Sequence, residues 1–294
     1  MGIPLDLLLE AVLLGILLGG FYAAVSMGLS VSFGLLDVPN VAHPAIMVLG
    51  SYCTYFVVGK FGLDPIVAGL ALTPVFFLLG MAVYRFYYET FERRGGREAG
   101  VRGIAFFFGL ALIIEVGLIL AFGVDQRMVE APYIGKSIEL FHDIRVPMRT
   151  LTVFAVAVIM TIGLTLYMSK TFTGRAIKAV AQDEPALRLM GANPVRIKQW
   201  AFGIATGVSA LAGAMLIVVG PVEPAMDRVY IGRTFCVVVL AGLGSMTGTL
   251  AAGLILGIAE SIVLMFSGAS WAPAVAFGLL LVVLGIRPQG LFGR

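Results

Sequence analysis

The sequence predicts an all-α polytopic membrane protein with about nine transmembrane segments, some of them broken or re-entrant, and one short helix outside the bilayer. Three observations predict it. Of the 294 residues, 60% are hydrophobic and only 13% are charged, about half the roughly 25% charged fraction of soluble domains; mean hydropathy is +1.01. Apolar runs close to the ~20 residues needed to cross a bilayer recur along the whole chain. Finally, the long polar stretch 170–199 stands between two such runs and carries its own helix punctuation. The chain therefore reads as a single transmembrane domain, 1–294, with one elaborate loop.

The first apolar run, 5–36, has no positive region before it and no small-residue cleavage site, so it reads as a retained span rather than a signal peptide. Gly15, Gly19, Gly20, Gly28 and Gly34 interrupt it; small residues let helix backbones approach closely in lipid, where packing replaces the hydrophobic effect. Residues 37–44 are rich in helix breakers, and a second run follows at 45–58. The break is either a surface turn or a broken helix facing a protein-lined cavity. Asp64-Pro65 opens a third span to Tyr84, and a fourth covers 104–123 with Glu115 in its middle. The mixed-charge loop 125–149 shows no periodicity. The fifth and sixth spans, 151–168 and 200–219, flank the polar stretch. A short run at 234–243 is either a span or re-entrant. An eighth span ends at Phe266, a ninth covers 271–286, and residues 287–294 form a tail.

Positive charge orients these spans. Residues 85–102 hold Arg85, Arg93, Arg94, Arg97 and Arg102; together with 170–199 and the tail they carry 13 of the 20 Lys and Arg residues. Nine alternating spans put all three on one side, so the N-terminus is expected outside and the C-terminus in the cytoplasm. The net charge of +3 thus reflects loops beside membrane spans, not nucleic-acid binding.

The polar stretch has clear local grammar. Asp183 or Glu184 can cap a helix whose first turn holds Pro185. Ala186, Leu187, Arg188, Leu189 and Met190 continue it, Gly191 ends it in the left-handed conformation, and Asn193-Pro194 starts the next membrane helix. The result is a short rigid elbow, suited to being gripped from outside the membrane.

Other chemistry is weak. The string 242–248, Gly-Leu-Gly-Ser-Met-Thr-Gly, has no lysine and no strand-turn-helix context, so it is no phosphate loop. His43 and His142, the two histidines, have no metal-ligand spacing around them, and packing is the expected role of His43. Cys53 and Cys236 lie in apolar runs and read as small buried residues. No nucleophile-base pattern occurs, so catalytic and metal residues are expected to be none. Glu115 and Glu260 stand out, because an intramembrane carboxylate is expensive; Ser261 and Arg233 are candidate partners. Glu115 reads as structural, Glu260 equally as structural or functional.

The family resemblance rests on specific strings. Residues 237–245, 248–260 and above all Arg287-Pro288-Gln289-Gly290-Leu291-Phe292-Gly293 resemble the permeases of branched-chain amino-acid ABC transporters, of the LivH type. Gly19-Gly20-Phe21-Tyr22-Ala23-Ala24 and Asn40-Val41-Ala42-His43 are similar to that family's N-terminal pattern. Pro44 and Ala45 depart from it, where the family has a glycine and often an acidic residue. The elbow is similar to the coupling loop of ABC importer permeases, with Asp183, Glu184, Ala186, Leu187, Arg188, Gly191, Ala192 and Asn193 as the residues expected to couple to an ATPase. Tyr22, Asn40, His43, Gly242, Gly244, Ser245 and Glu260 are the candidates for the translocation pathway.

The resemblance implies a subunit of an ATP-driven importer in a bacterial inner membrane, moving branched-chain or hydrophobic amino acids or a related small solute. Its implied partners are a second, LivM-like permease or a second copy, two cytoplasmic ATPases, and a periplasmic solute-binding protein. ATP and Mg would bind only the ATPases, so no cofactor is expected in this chain. A secondary transporter or channel working without ATP is the alternative, and a membrane-embedded enzyme a distant third. A stand-alone carrier has no need of a capped docking elbow.

Overall fold

A computed structural model describes residues 5–93, 99–139 and 145–293; His142, Arg94, Arg97 and Arg294 lie outside them. Among the described residues, seven helices are long and apolar enough to cross a membrane. They are α1 (Leu5–Ser32), α2 (His43–Phe61), α3 (Pro65–Tyr87, continued by a π-helical turn, Tyr88–Glu92), α4 (Ala99–Phe122), α5 (Met148–Lys170), α8 (Pro194–Val219) and α10 (Met246–Ser267). Between α5 and α8 lie the short α6 (Phe172–Gln182) and α7 (Glu184–Leu189). The expected seventh and ninth spans fall in α9 (Asp227–Ala241) and α11 (Ala272–Ile286), each of 15 residues. At 1.5 Å per residue that is roughly 22 Å, short of a hydrocarbon core of about 30 Å. These two short helices pack against each other.

Helix α8 is the axis of the bundle, packed against α1, α2, α3 and α5. The glycines of the first span have the anticipated use. A Cβ on Gly19 would lie 2.6 Å from Leu254 Cα, and one on Gly15 2.7 Å from Ile258 Cα. From the other side, Gly253 and Gly257 press on Ala23, Gly19 and Gly15. Small residues spaced by four on both helices thus form one backbone-to-backbone seam between α1 and α10.

Helix α1 stops at Ser32, not Leu36. Residues 33–42 fold into turns in which Asp37 holds a left-handed φ of +58° and His43 N–H donates to Asn40 O at 3.2 Å. The break lies earlier than the helix-breaker stretch 37–44: it begins at residue 33, and His43 and Pro44 already belong to α2, since proline is tolerated in a first helical turn, where its missing N–H is no loss. A second irregular stretch precedes α9. Gly220 (φ −173°) and Glu223 (φ −120°) are extended, and Val222 exchanges backbone hydrogen bonds of 2.9 Å with Arg127. The hydroxyl of Tyr52, the middle residue of α2, donates to Val222 O at 3.4 Å. The chain between α8 and α9 therefore reaches into the bundle, its polar groups met by protein, as irregular backbone requires there. Within 125–149, where no periodicity is legible, β1 (Ser137–Glu139) and β2 (Arg145–Pro147) pair antiparallel.

Three regions meet at one end of the bundle. Lys198 Nζ lies 3.1 Å from Glu92 Oε1, joining the root of α8 to the segment after α3. Leu35, Leu36 and Asp37 line a pocket together with residues 180–185. Gly244 packs on Gly34, and the tail is pinned beside it: Leu291 N–H donates to Leu240 O at 2.8 Å and Phe292 N–H to Ala241 O at 3.3 Å.

Candidate functional site

The elbow folds as its punctuation dictates. Thr171 caps α6, accepting from Gly174 N–H at 3.0 Å, and α6 buries Gly174, Ile177 and Val180. Asp183, not Glu184, caps α7 by accepting from Ala186 N–H at 2.9 Å. Gly191 ends the helix at φ +80°, its N–H donating to Arg188 O while Ala192 N–H donates to Leu187 O. Asn193 caps α8, accepting from Arg196 N–H at 3.2 Å. Replacing Asp183 with alanine is expected to cost about 1 kcal/mol of local helix stability, read as faster amide exchange across residues 184–190 with no change in the membrane spans.

Glu184 faces inward. Its Oε1 lies 2.6 Å from Arg188 Nη2 and its Oε2 2.7 Å from Lys198 Nζ. Lys198 also holds Glu92, whose second oxygen accepts from Tyr84 Oη at 3.1 Å. Partial burial pushes the Glu184 carboxyl up, but its bonds from Lys198 and Arg188 outweigh this and hold it below the ordinary 4.5. The contact is therefore formed at neutral pH and is lost only as pH falls below that value. One lysine thus clamps the elbow to the root of α8 and to the end of α3.

At its tip the elbow presents apolar side chains outward. Leu189 is 91% exposed and Met190 85% exposed, at the tip between Arg188 and Gly191. The sequence shows them as the last turn of a helix; its one readable signal is two large apolar residues just before a terminating glycine in an otherwise charged loop.

The pathway candidates separate into three places. Tyr22 on α1, Glu260 on α10 and Arg233 on α9 form one buried cluster. Tyr22 Oη donates to Glu260 Oε2, Arg233 Nε donates to Glu260 Oε1 at 2.8 Å, and the guanidinium lies over the Tyr22 and Tyr230 rings at 5.6 and 5.5 Å. Ser261 is not a partner of Glu260; its hydroxyl donates to Ala11 O at 2.6 Å. The His43 imidazole donates from Nε2 to Val25 O at 2.8 Å and faces Ser209 Oγ with Nδ1 at 3.1 Å, which ties α2 to α1 and α8. Asn40 beside it is buried, and neither of its amide atoms has a partner among the described residues. Gly242 packs on Gln289 and Gly293 of the tail, Gly244 on Gly34, and Ser245 caps α10 by accepting from Gly248 N–H at 3.2 Å. Those three residues serve the α9–α10 turn. Glu115, finally, pairs with Arg228 at 2.6 Å, a cation that reading the sequence overlooked.

A bundle of apolar helices in which Glu115 and Glu260 are each paired with an arginine, with a rigid elbow at one end, defines a multi-pass membrane protein of the transport class. The chain belongs to the family described as "Branched-chain amino acid transport system / permease component", whose model matches residues 11–284. It is 26% identical to the high-affinity branched-chain amino acid transport system permease protein BraD of Pseudomonas aeruginosa, covering 97% of this chain and 96% of that protein. It is 27% identical to LivH of Escherichia coli K12, over 95% and 94%. A shorter likeness, 31% over 120 residues, links it to the permease protein LivM of the same organism, covering 40% of this chain and 28% of LivM. No solved structure matches. The chain is a transport permease subunit and not an enzyme.

Proposed function

We propose that this chain is one half of the pore of an ATP-driven importer of branched-chain amino acids, built as a single transmembrane domain, 1–294. A related permease completes the pore, two cytoplasmic ATPases bind the elbows, and a periplasmic solute-binding protein delivers the solute. The observation that carries this reading is the elbow: a capped helix with an apolar tip outside the bilayer, clamped by Lys198 to the axial helix of the bundle. Exposed apolar residues in a charged setting mark a docking surface. The likeness to LivM supports a second permease of related fold, and the names of BraD and LivH support the solute class.

The orientation follows from charge. The end bearing residues 85–93, Arg102 and the elbow is assigned to the cytoplasm by the positive-inside rule, which puts the N-terminus outside and the tail inside. Branched-chain solutes are apolar apart from their two backbone charges, so binding-protein delivery supplies affinity while the permease supplies a gated path.

The test is reconstitution. The tagged chain, purified from its native membrane in mild detergent, should bring down two ATPases and a second permease. The complex in vesicles should take up leucine only when ATP and the binding protein are both supplied. Uptake driven by an ion gradient without ATP would transfer the chain to the secondary carriers.

A further inference from the structure

Between α4 and α9 lies a cavity of about 280 Å³ that none of the translocation-pathway candidates lines. This is just below the roughly 300–1,000 Å³ spanned by drug-sized ligand pockets, a size for a single small solute. Its walls are of two kinds. Val41, Phe108, Ala111, Leu112 and Ile231 form an apolar side, and Glu115, Asp227 and Arg228 form a charged side. Val41 comes from the irregular turn between α1 and α2, so three separate elements close the space.

The charged side is incompletely used. Arg228 Nη2 donates to Glu115 Oε1 at 2.6 Å, one of the guanidinium's five N–H groups. Asp227 Oδ1 is buried and has no hydrogen-bond partner among the described residues. Glu115 is nearly buried while the Arg228 side chain is 68% exposed. Glu115 lies seven residues before the end of α4, about 10 Å inside that end at 1.5 Å per residue. An arginine so exposed at that depth is not stable against lipid, so this face borders water or another subunit. A polar lining turned to a water-accessible or subunit-covered face of a permease is what a solute on its way through would meet.

We infer that this cavity is the intramembrane binding site for a zwitterionic amino acid with a branched aliphatic side chain. The inference rests on the reading of the chain as an amino-acid importer. Arg228 takes the solute carboxylate with its remaining donors, in the charge-assisted geometry that arginine favours. Asp227 Oδ1 and the second oxygen of Glu115 take the ammonium group. The aliphatic chain lies against Phe108, Leu112 and Ile231. With two carboxylates to one guanidinium the lining has a surplus negative charge, which admits a neutral zwitterion and repels acidic amino acids.

The experiment uses the assembled complex in vesicles, with Cys53 and Cys236 replaced by alanine, and a single cysteine introduced as Leu112→Cys or Ile231→Cys. A water-soluble maleimide should label both positions, and saturating leucine should slow labelling about tenfold, the loss of access expected of an occupied site. 4-Methylpentanoate, which lacks the ammonium, and 3-methylbutylamine, which lacks the carboxylate, should protect poorly. Asp227→Asn and Arg228→Gln should remove leucine protection and raise the half-saturating leucine concentration for uptake at least tenfold, roughly the loss of one charge-assisted hydrogen bond. Ala111→Leu, which keeps every charge, should shift uptake from leucine toward alanine. Co-purified ATPase and a parental amount of chain in the membrane fraction show that each variant is assembled. If the unmutated complex imports leucine with ATP while leucine leaves both labelling rates unaltered, or if all three variants keep parental uptake and selectivity, the site is wrong and the importer reading stands. If the unmutated complex moves no amino acid at all, the importer reading fails and takes the site with it.

Discussion

Replacing Gly257 with leucine is expected to prevent the chain from accumulating in the membrane as folded permease. A Cβ at this position would fall well inside van der Waals contact with Gly19 Cα and Gly15 O, and neither is a flexible side chain that can step aside. The whole of α10 would have to lift from α1. In water such a separation could be filled by repacking, but in lipid the seam itself is the driving force, because hydrocarbon competes equally for every apolar surface. Overpacking in ordinary cores costs about 1–3 kcal/mol; against backbone on both sides, and with a bulky substituent, the cost is expected at or above the top of that range. Marginal proteins have only about 5–15 kcal/mol in total. The lift would also pull Tyr22 from Glu260, since those residues sit on the same two helices. Gly257→Ala should show a graded loss. Gly278→Leu, where an added Cβ meets nothing within 4 Å, should be silent. The measurements are the amount of chain in the membrane fraction and the thermal midpoint in detergent. A Gly257→Leu variant that accumulates normally and melts within a few degrees of the parent would show that the α1–α10 seam does not hold the bundle together.

What could be read from the sequence and what could not follows the range of the forces involved. Spans are legible because lipid enforces an apolar length on each stretch independently, so the runs that became α1–α5, α8 and α10 are visible one at a time. The elbow is legible for a similar reason: a cap, a proline in the first turn and a left-handed glycine each act on backbone within a few residues of themselves, and Asp183, Pro185, Gly191 and Asn193 are found in those roles. Pairings across the bundle are different. Tyr22 and Glu260 are 238 positions apart, and Glu115 and Arg228 are 113 apart, so nothing local links them. Arg233 was within reach as a partner for Glu260 because a buried carboxylate demands a cation and few are available. Arg228 was overlooked because the stretch before the short run at 234–243 reads as a mere connection. The same long-range packing explains why α9 starts at Asp227, and why the exposed tip of α7 shows only once the neighbouring helices are in place.

Two sets of elbow variants are expected to abolish transport by different routes. Leu189→Asp with Met190→Asp places two charges on a tip that is otherwise exposed and apolar. Neither side chain supports the bundle, so the permease should fold and insert as before. A docking contact made by these residues would be lost: ATPase co-purification should fall at least tenfold, the equivalent of about 1.4 kcal/mol, and uptake with it. Lys198→Met acts elsewhere. It leaves the tip intact but removes the ammonium that holds both Glu184 and Glu92, so two half-buried carboxylates lose their shared partner. The ATPases should remain attached and still hydrolyse ATP, while uptake per ATP falls, because closure of the ATPases then moves an elbow no longer fastened to α8. Gly191→Val belongs with the second set. There is open space around it, so no clash arises. A branched residue held at φ +80° is nonetheless strained by about 1–2 kcal/mol, and the tip is re-aimed relative to the Asn193 cap. The measurements are ATPase retained on the purified permease, ATP turnover, and leucine uptake in vesicles, made side by side. Loss of attachment with the tip variant and loss of coupling with the clamp variants would separate docking from transmission. If the tip variant keeps its ATPases and the clamp variants keep parental uptake per ATP, residues 183–192 carry no force into the membrane, and the path of coupling must run through another segment at the same end of the bundle, the tail pinned at Leu240 and Ala241 being the nearest.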